Sequence, residues 1–302
     1  MTGRRWTLVR VVFVLAVVAG AWWSWRDSRD QLVEALGLVA PGQVAAAFGL
    51  VVVGLALTGW VWWMVLGAFG VGGAPAQMVP QFFVAQLGKY VPGSVWAFAA
   101  QGAMGARHGT PPRVAATGTV LFLGVHVASG LLLVGLLGLV DRWSPLPTWL
   151  VLTSLVVGLV GLTPVVHRAL GGRLSGRPVD WGGRRSLVGL LMMVPVWCCY
   201  GLALLVVSPD PDPAAFVPLA SAFAVAFAAG VAVPIAPAGL GARDGVLVLL
   251  LTPVLGVGSA GVVAVVVRLL HTAADFLLAG LAWGALHWSG ARCPSEGPGD
   301  DH

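Results

Sequence analysis

Lys89 is the only lysine in the chain, and it lies inside an apolar segment shortly before Pro92 and Gly93. A cation near the centre of a bilayer costs about 2.5–3.5 kcal/mol on insertion scales, so its ammonium should face a polar cavity or a partner. Ser94 can cap a new helix whose first N–H groups point back towards Lys89. A helix N-terminus beside a cation suits an anion, so Lys89, Tyr90 and Ser94 are candidate substrate-binding residues. Alternatively, Lys89 snorkels to the membrane surface and Tyr90 is an interface anchor.

A second charged pair follows another Pro- and Gly-rich break. Arg243 and Asp244 follow residues 234–241 after one intervening alanine. Adjacent side chains on a helix diverge by about 100°, so these two should not pair with each other. One of them is expected to face the cavity as a further substrate-binding residue, and Asp244 also suits the cap of a helix N-terminus.

Three polar residues recur along the final apolar segment. Arg268, His271 and Asp275 are spaced i, i+3 and i+7, which puts them on one face of a helix that cannot be lipid-facing. A charge relay for protons and a structural salt bridge explain this stripe equally well. His126 is alone in its apolar segment and is expected to be a satisfied core residue.

The elements that carry these residues are membrane helices. Of 302 residues, 58% are hydrophobic and 10% are charged, whereas soluble domains carry about 25% charged residues. The arginines behind the net charge of +5 lie in short loops, so no nucleic-acid partner is expected. Cys198, Cys199 and Cys293 have no disulfide or metal-ligand spacing, and no nucleotide-binding loop is present. No metal, cofactor or catalytic residue is predicted, and the chain is not expected to be an enzyme.

The hydropathy pattern predicts six full spans and two broken segments. The spans are expected at 6–25, 44–69, 114–140, 147–166, 187–207 and 257–288. Residues 78–106 are broken around 89–94 into arms too short to cross, which predicts a re-entrant hairpin. Residues 214–251 are broken at 234–241, although their first arm is long enough to cross, so a re-entrant hairpin and a full helical pair both remain open.

The arginine distribution places both termini on the cytoplasmic side of the plasma membrane. Arg168, Arg173, Arg177, Arg184 and Arg185 share one loop, as the positive-inside rule expects of a cytoplasmic loop. The two broken segments then enter from opposite faces, which predicts an inverted repeat of about 44–140 and 187–288. Residues 1–288 form one transmembrane domain, and 289–302 are expected to be a disordered cytoplasmic tail.

Both breaks resemble motifs of the flippase-like membrane family related to the transmembrane domain of lysylphosphatidylglycerol synthases. The carrying residues are Gly-Lys-Tyr-Val-Pro-Gly-Ser-Val-Trp at 88–96 and Pro-Ile-Ala-Pro-Ala-Gly-Leu-Gly-Ala-Arg-Asp-Gly at 234–245. The second motif departs from the family's common glycine at position 238 and glutamate at 244. The resemblance runs from about residue 44 onwards and includes no aminoacyl-transferase domain, which implies a stand-alone member.

Together, the charged breaks and the resemblance imply a transporter that moves a lipid between leaflets. The expected cargo carries an anionic phosphate head group, as in a phospholipid, an aminoacylated phospholipid or a polyprenyl-phosphate-linked lipid. Two alternatives to a transporter remain open at this point. One is a non-transporting membrane partner of a separately encoded lipid-modifying enzyme, and the other is a membrane enzyme acting on a lipid-linked substrate.

Overall fold

The computed structural model describes residues 39–91, 96–107, 109–140, 146–209, 211–233, 239 and 241–290. The predicted first span at 6–25 and residues 291–302 of the predicted tail lie outside these ranges. The helices are α1 Pro41–Gly67, α2 Pro75–Gln86, α3 Trp96–Arg107, α4 Pro112–Val140, α5 Thr148–Gly161, α6 Pro164–Ser175, α7 Gly183–Val207, α8 Phe216–Ala232, α9 Ala242–Leu255 and α10 Val257–Gly290, with short 3-10 helices at Leu87–Tyr90 and Pro213–Ala215. The described residues form no strand, so this part of the chain is all-α.

Five helices are long and apolar enough to cross a membrane. They are α1, α4, α7, α8 with its preceding 3-10 turn, and α10. Helices α1, α4, α7 and α10 match the predicted spans at 44–69, 114–140, 187–207 and 257–288, and α8 is the long first arm of the segment at 214–251. These helices identify the chain as a multi-pass helical membrane protein.

The predicted span at 147–166 consists of two helices, because the chain bends by 61° between α5 and α6. That this pair crosses the membrane stays a prediction. Thr163 is extended, with ψ 142°, because a residue that precedes proline disfavours the helical conformation. Pro164 then begins α6, where its missing N–H is tolerated. Helix α5 has 14 residues, or about 21 Å, so only the bent pair as a whole is long enough to span.

The first broken segment is a tight hairpin of two short arms. Helices α2 and α3 have 12 residues each, or about 18 Å, which is less than a bilayer crossing. A Cβ at Gly88 would lie 2.5 Å from the backbone nitrogen of Ala97, so only glycine allows the arms to approach this closely. The predicted break is confirmed, although residues 92–95 lie outside the described ranges.

The second broken segment pairs a longer arm with a shorter one. Helix α8 has 17 residues and α9 has 14. Gly239, between them, has a φ of +72°, and its Cα approaches Gly230 of α8. Residues 234–238 are outside the described ranges.

Helix contacts in residues 41–140 have counterparts in 183–290. Helix α1 packs along α7, its own counterpart in this comparison. Helix α1 also contacts α2, α4 and α10, while α7 contacts α8, α10 and α4. Helix α2 contacts α3 and α10, and correspondingly α8 contacts α9 and α4. The α3–α4 contact corresponds to that between α9 and α10. With residues 41–140 termed the first half and 183–290 the second, each broken hairpin packs against the long final helix of the other half.

The arginine-rich connection between α6 and α7 packs against the C-terminal end of α1. The backbone N–H of Asp180 donates to the carbonyl of Ala68 at 2.8 Å, and Arg185 donates to the carbonyl of Met64 at 3.4 Å. These bonds satisfy carbonyls that the end of a helix leaves without intrahelical partners. Arg185 also pairs with Asp180 at 3.1 Å.

Candidate functional site

Both broken hairpins line one cavity of about 280 Å³ between the two halves. Lys89 and Tyr90 come from the first hairpin, and Gly239 and Arg243 come from the second. The sequence-predicted site residues in its lining are Lys89, Tyr90, Arg243, Arg268, His271 and Asp275. The two breaks, which are far apart in the sequence, therefore share one cavity.

Lys89 is paired across the two halves. Its Nζ lies 2.6 Å from Oδ2 of Asp275 on α10, and the Tyr90 hydroxyl donates to the same oxygen at 2.7 Å. The Asp275 side chain is 8% exposed, whereas that of Lys89 is 32% exposed. Lys89 therefore has a partner and also faces the cavity, because Asp275 supplies the counter-charge and Lys89 remains within reach of a ligand.

Arg268 and Asp244 form a second ion pair, between α10 and α9. Asp244 also accepts a hydrogen bond of 3.3 Å from the Gly241 N–H, so it caps the N-terminus of α9. This geometry agrees with the prediction that Asp244 caps a helix and does not pair with Arg243. Arg268 and Asp275, which were predicted to lie on one helix face, therefore belong to two different ion pairs. Arg268 pairs with Asp244, and Asp275 pairs with Lys89.

Arg243 contacts an aromatic ring. Its guanidinium carbon lies 4.8 Å from the ring centroid of Phe223 on α8, which is a cation–π contact. None of the carboxylates in the described ranges forms an ion pair with it. Gly230 makes room for this arginine, because a Cβ there would lie 2.9 Å from the Arg243 Cβ.

Two buried histidines also line the cavity. His126 and His271 are 4% and 7% exposed, and neither Nε2 has a hydrogen-bond partner among the described residues. The interpretation of His126 as a satisfied core residue is therefore wrong. His126 stacks on Phe227 at 4.4 Å, and His271 lies 5.0 Å from Tyr200 and 5.2 Å from Phe223.

The lining is richer in cations than in anions. Lys89, Arg243 and Arg268 line the cavity, and Asp275 is its single carboxylate within the described part of the chain. In those same ranges, no three His, Cys, Asp or Glu side chains form a group able to hold a metal ion. The arrangement can bind an anion, and it leaves two imidazole nitrogens for further hydrogen bonds.

Ser94, the remaining predicted site residue, lies outside the described ranges. Sequence reasoning missed His126, Tyr200 and Phe223 as lining residues. A positional signal existed for His126. It lies fourteen residues after Pro112, where α4 begins, and His271 lies fourteen residues after Val257, where α10 begins.

No protein-family model matches this sequence, and no curated protein matches it. The function is therefore inferred from the membrane helices and from the chemistry of the cavity.

Proposed function

We propose that the chain is a membrane transporter that moves a lipid with an anionic phosphate head group between bilayer leaflets. The observation that carries this proposal is the charge of Arg243: of the three basic side chains that line the cavity, it is the one without an ion pair to a carboxylate of the described ranges. Arg243 offers a planar set of donors that suits a phosphate. Its contact with Phe223 orients the guanidinium without neutralising its charge.

Lys89 would supply the second phosphate contact. An incoming phosphate competes with Asp275 for the Lys89 ammonium, and the side chain is exposed enough to be reached. Asp275 keeps the hydrogen bond from Tyr90 when Lys89 turns to the ligand. Asp244, Arg268 and Asp275 then balance charge around the bound head group. No catalytic step is needed, so the proposal is a transporter and not an enzyme.

The size of the cavity favours a head group as its occupant. Its 280 Å³ is at the lower end of ligand-site volumes of about 300–1,000 Å³. The acyl or polyprenyl chains would remain in the surrounding lipid while the phosphate crosses. The charged head group then crosses inside the protein and is not exposed to the hydrocarbon of the bilayer.

Residues 41–140 and 183–290 are proposed to form an inverted repeat. The matched helix contacts support this, and so does the register of the lining residues. Thr58 and Tyr200 each lie seventeen residues after the start of α1 and α7, and Phe82 and Phe223 each lie seven after the start of α2 and α8. Such repeats allow one half to rock against the other around a fixed site.

The proposed setting is the plasma membrane, with both termini cytoplasmic, as the arginine bias favours. The proposed family is the flippase-like group whose motifs residues 88–96 and 234–245 resemble. A separately encoded lipid-modifying enzyme is a proposed partner that would supply the cargo.

Reconstituted vesicles test this function. The full chain is placed in phosphatidylcholine vesicles with trace phosphatidylglycerol labelled on an acyl chain, and movement is read as the fraction of label that an impermeant reductant quenches over time. Arg243→Gln should slow movement at least about tenfold, since a charge-assisted hydrogen bond contributes about 1.5–3 kcal/mol. The matched control is Arg113→Gln, because Arg113 is exposed at the start of α4. Equal rates for the wild type and both variants would refute Arg243 as the phosphate-binding residue, and an inactive wild type would refute the transporter.

A further inference from the structure

One side of the cavity is formed by a continuous set of rings, termed here the aromatic–histidine cluster. His126, Tyr200, Phe223, Phe227 and His271 line the cavity, and Trp197 packs against them. Tyr200 lies between the two histidines, at 6.3 Å from His126 and 5.0 Å from His271. Trp197 packs edge-on against His126 at 5.1 Å. The cluster joins the Arg243 site through Phe223, which contacts both Arg243 and His271. A phosphate at Arg243 would therefore place its substituent against these rings.

The backbone contact of His271 defines what its free nitrogen offers. Its Nδ1 lies 2.8 Å from the Val267 carbonyl, which can only accept, so Nδ1 carries the proton. In the neutral ring, Nε2 is then a lone-pair acceptor. Nε2 of His271, buried and with no partner among the described residues, requires a donor such as a hydroxyl group. His126 presents a second buried Nε2 without a described partner, which accepts from or donates to a hydroxyl group according to the tautomer of the ring.

An ammonium group could also donate, but the surrounding charges oppose it. Arg243 lines the same cavity and forms no ion pair with a carboxylate of the described ranges, and like charges at close range are unfavourable. The lining carboxylate, Asp275, already accepts from Lys89 and Tyr90. A hydroxyl group carries no such penalty, and the C–H faces of a polyol or sugar pack against aromatic rings.

We infer that the aromatic–histidine cluster selects a phosphate diester whose head group is an uncharged polyol, such as glycerol, inositol or a sugar, over one that ends in an ammonium. This inference rests on the proposed transport function and names its substrate class. One head-group hydroxyl donates to Nε2 of His271 and another hydrogen-bonds to Nε2 of His126, while Arg243 holds the phosphate. Aminoacylated and ethanolamine head groups are disfavoured cargo.

Three labelled lipids that share the phosphate diester separate these requirements. Phosphatidylglycerol carries hydroxyls, phosphatidylethanol has the same charge and none, and phosphatidylethanolamine adds an ammonium. In phosphatidylcholine vesicles holding the full chain, phosphatidylglycerol should move about tenfold faster than phosphatidylethanol, the factor for one hydrogen bond at the upper end of its usual range. Phosphatidylethanolamine should move no faster than phosphatidylethanol. This wild-type comparison does not depend on any variant folding.

Two variants connect the selectivity to the histidines. His126→Phe and His271→Phe keep a ring and remove the ring nitrogens that bind hydroxyls, so each should reduce the preference for phosphatidylglycerol while movement of phosphatidylethanol persists. His167→Phe is the matched control, because His167 is a buried histidine that stacks on Trp181 at 4.2 Å outside the cavity. Equal wild-type rates for phosphatidylglycerol and phosphatidylethanol, or an unchanged preference in both cavity variants, would overturn the inference and leave the transport function intact. A wild type that moves none of the three lipids would overturn both.

Discussion

The two broken hairpins reach the same cavity but treat their cations differently. In the first hairpin, Lys89 is paired at 2.6 Å with Asp275, which belongs to α10 in the other half. In the second, Arg243 lies against Phe223, which belongs to α8 of the same hairpin. The first cation therefore connects the halves, whereas the second keeps its charge for a ligand. Both hairpins thus carry a cation next to a break in the helix. The residue opposite that cation decides whether it forms an ion pair or stays available to a ligand.

The hairpins also differ in how tightly their arms approach. Gly88 faces the backbone of Ala97, which cannot move aside, whereas Gly230 faces the Cβ of Arg243. The arms of the first hairpin are therefore expected to tolerate an added Cβ less well than those of the second. The following variants, ordered from the largest expected effect on stability to the smallest, test this difference.

Gly88→Ala should destabilise the protein by about 2–3 kcal/mol, because a Cβ 2.5 Å from the Ala97 nitrogen forces the arms apart. Thermal unfolding in detergent measures the loss. Gly49→Ala in α1 is the control, since a Cβ there meets no atom within 4 Å. If the two variants unfold at the same temperature, the tight closure of the first hairpin is wrong.

Lys89→Ala should cost about 1–2 kcal/mol, because it leaves the Asp275 carboxylate with only the Tyr90 hydroxyl as a described partner. This is below the 3–5 kcal/mol of fully buried pairs, since Lys89 is about one-third exposed. Adding Asp275→Asn to this variant should restore part of the loss in a double-mutant cycle. Purely additive effects would mean that the pair does not connect the halves.

Gly230→Ala should change stability least, by about 1 kcal/mol or less. The added Cβ displaces the stem of Arg243, but alanine favours the helix by about 1 kcal/mol over glycine, which offsets the cost. Its effect should fall on transport instead, slowing phosphatidylglycerol movement several-fold in vesicles. A variant that unfolds as early as Gly88→Ala would show that the two closures are equally rigid.

The sequence alone predicts part of the candidate site. Lys89, Arg243, Arg268, His271 and Asp275 were found because ionisable groups in apolar segments must face protein or water. Their pairing was not readable, since Lys89 and Asp275 are far apart along the chain. Phe223 and Tyr200 gave no signal, because aromatic residues in membrane helices are also usual in cores and at interfaces.

Composition and run length alone determined the membrane helices, and proline and glycine marked both broken hairpins, because these depend on local hydropathy and backbone conformation. The bend before Pro164 had the same local cause but was missed, since the apolar run continues through it. Only the tertiary structure decided which charges neutralise one another and which face the cavity. Those relations depend on helix rotation and packing between distant segments, and they leave Arg243 on an aromatic ring with Lys89 bound to a carboxylate of the other half.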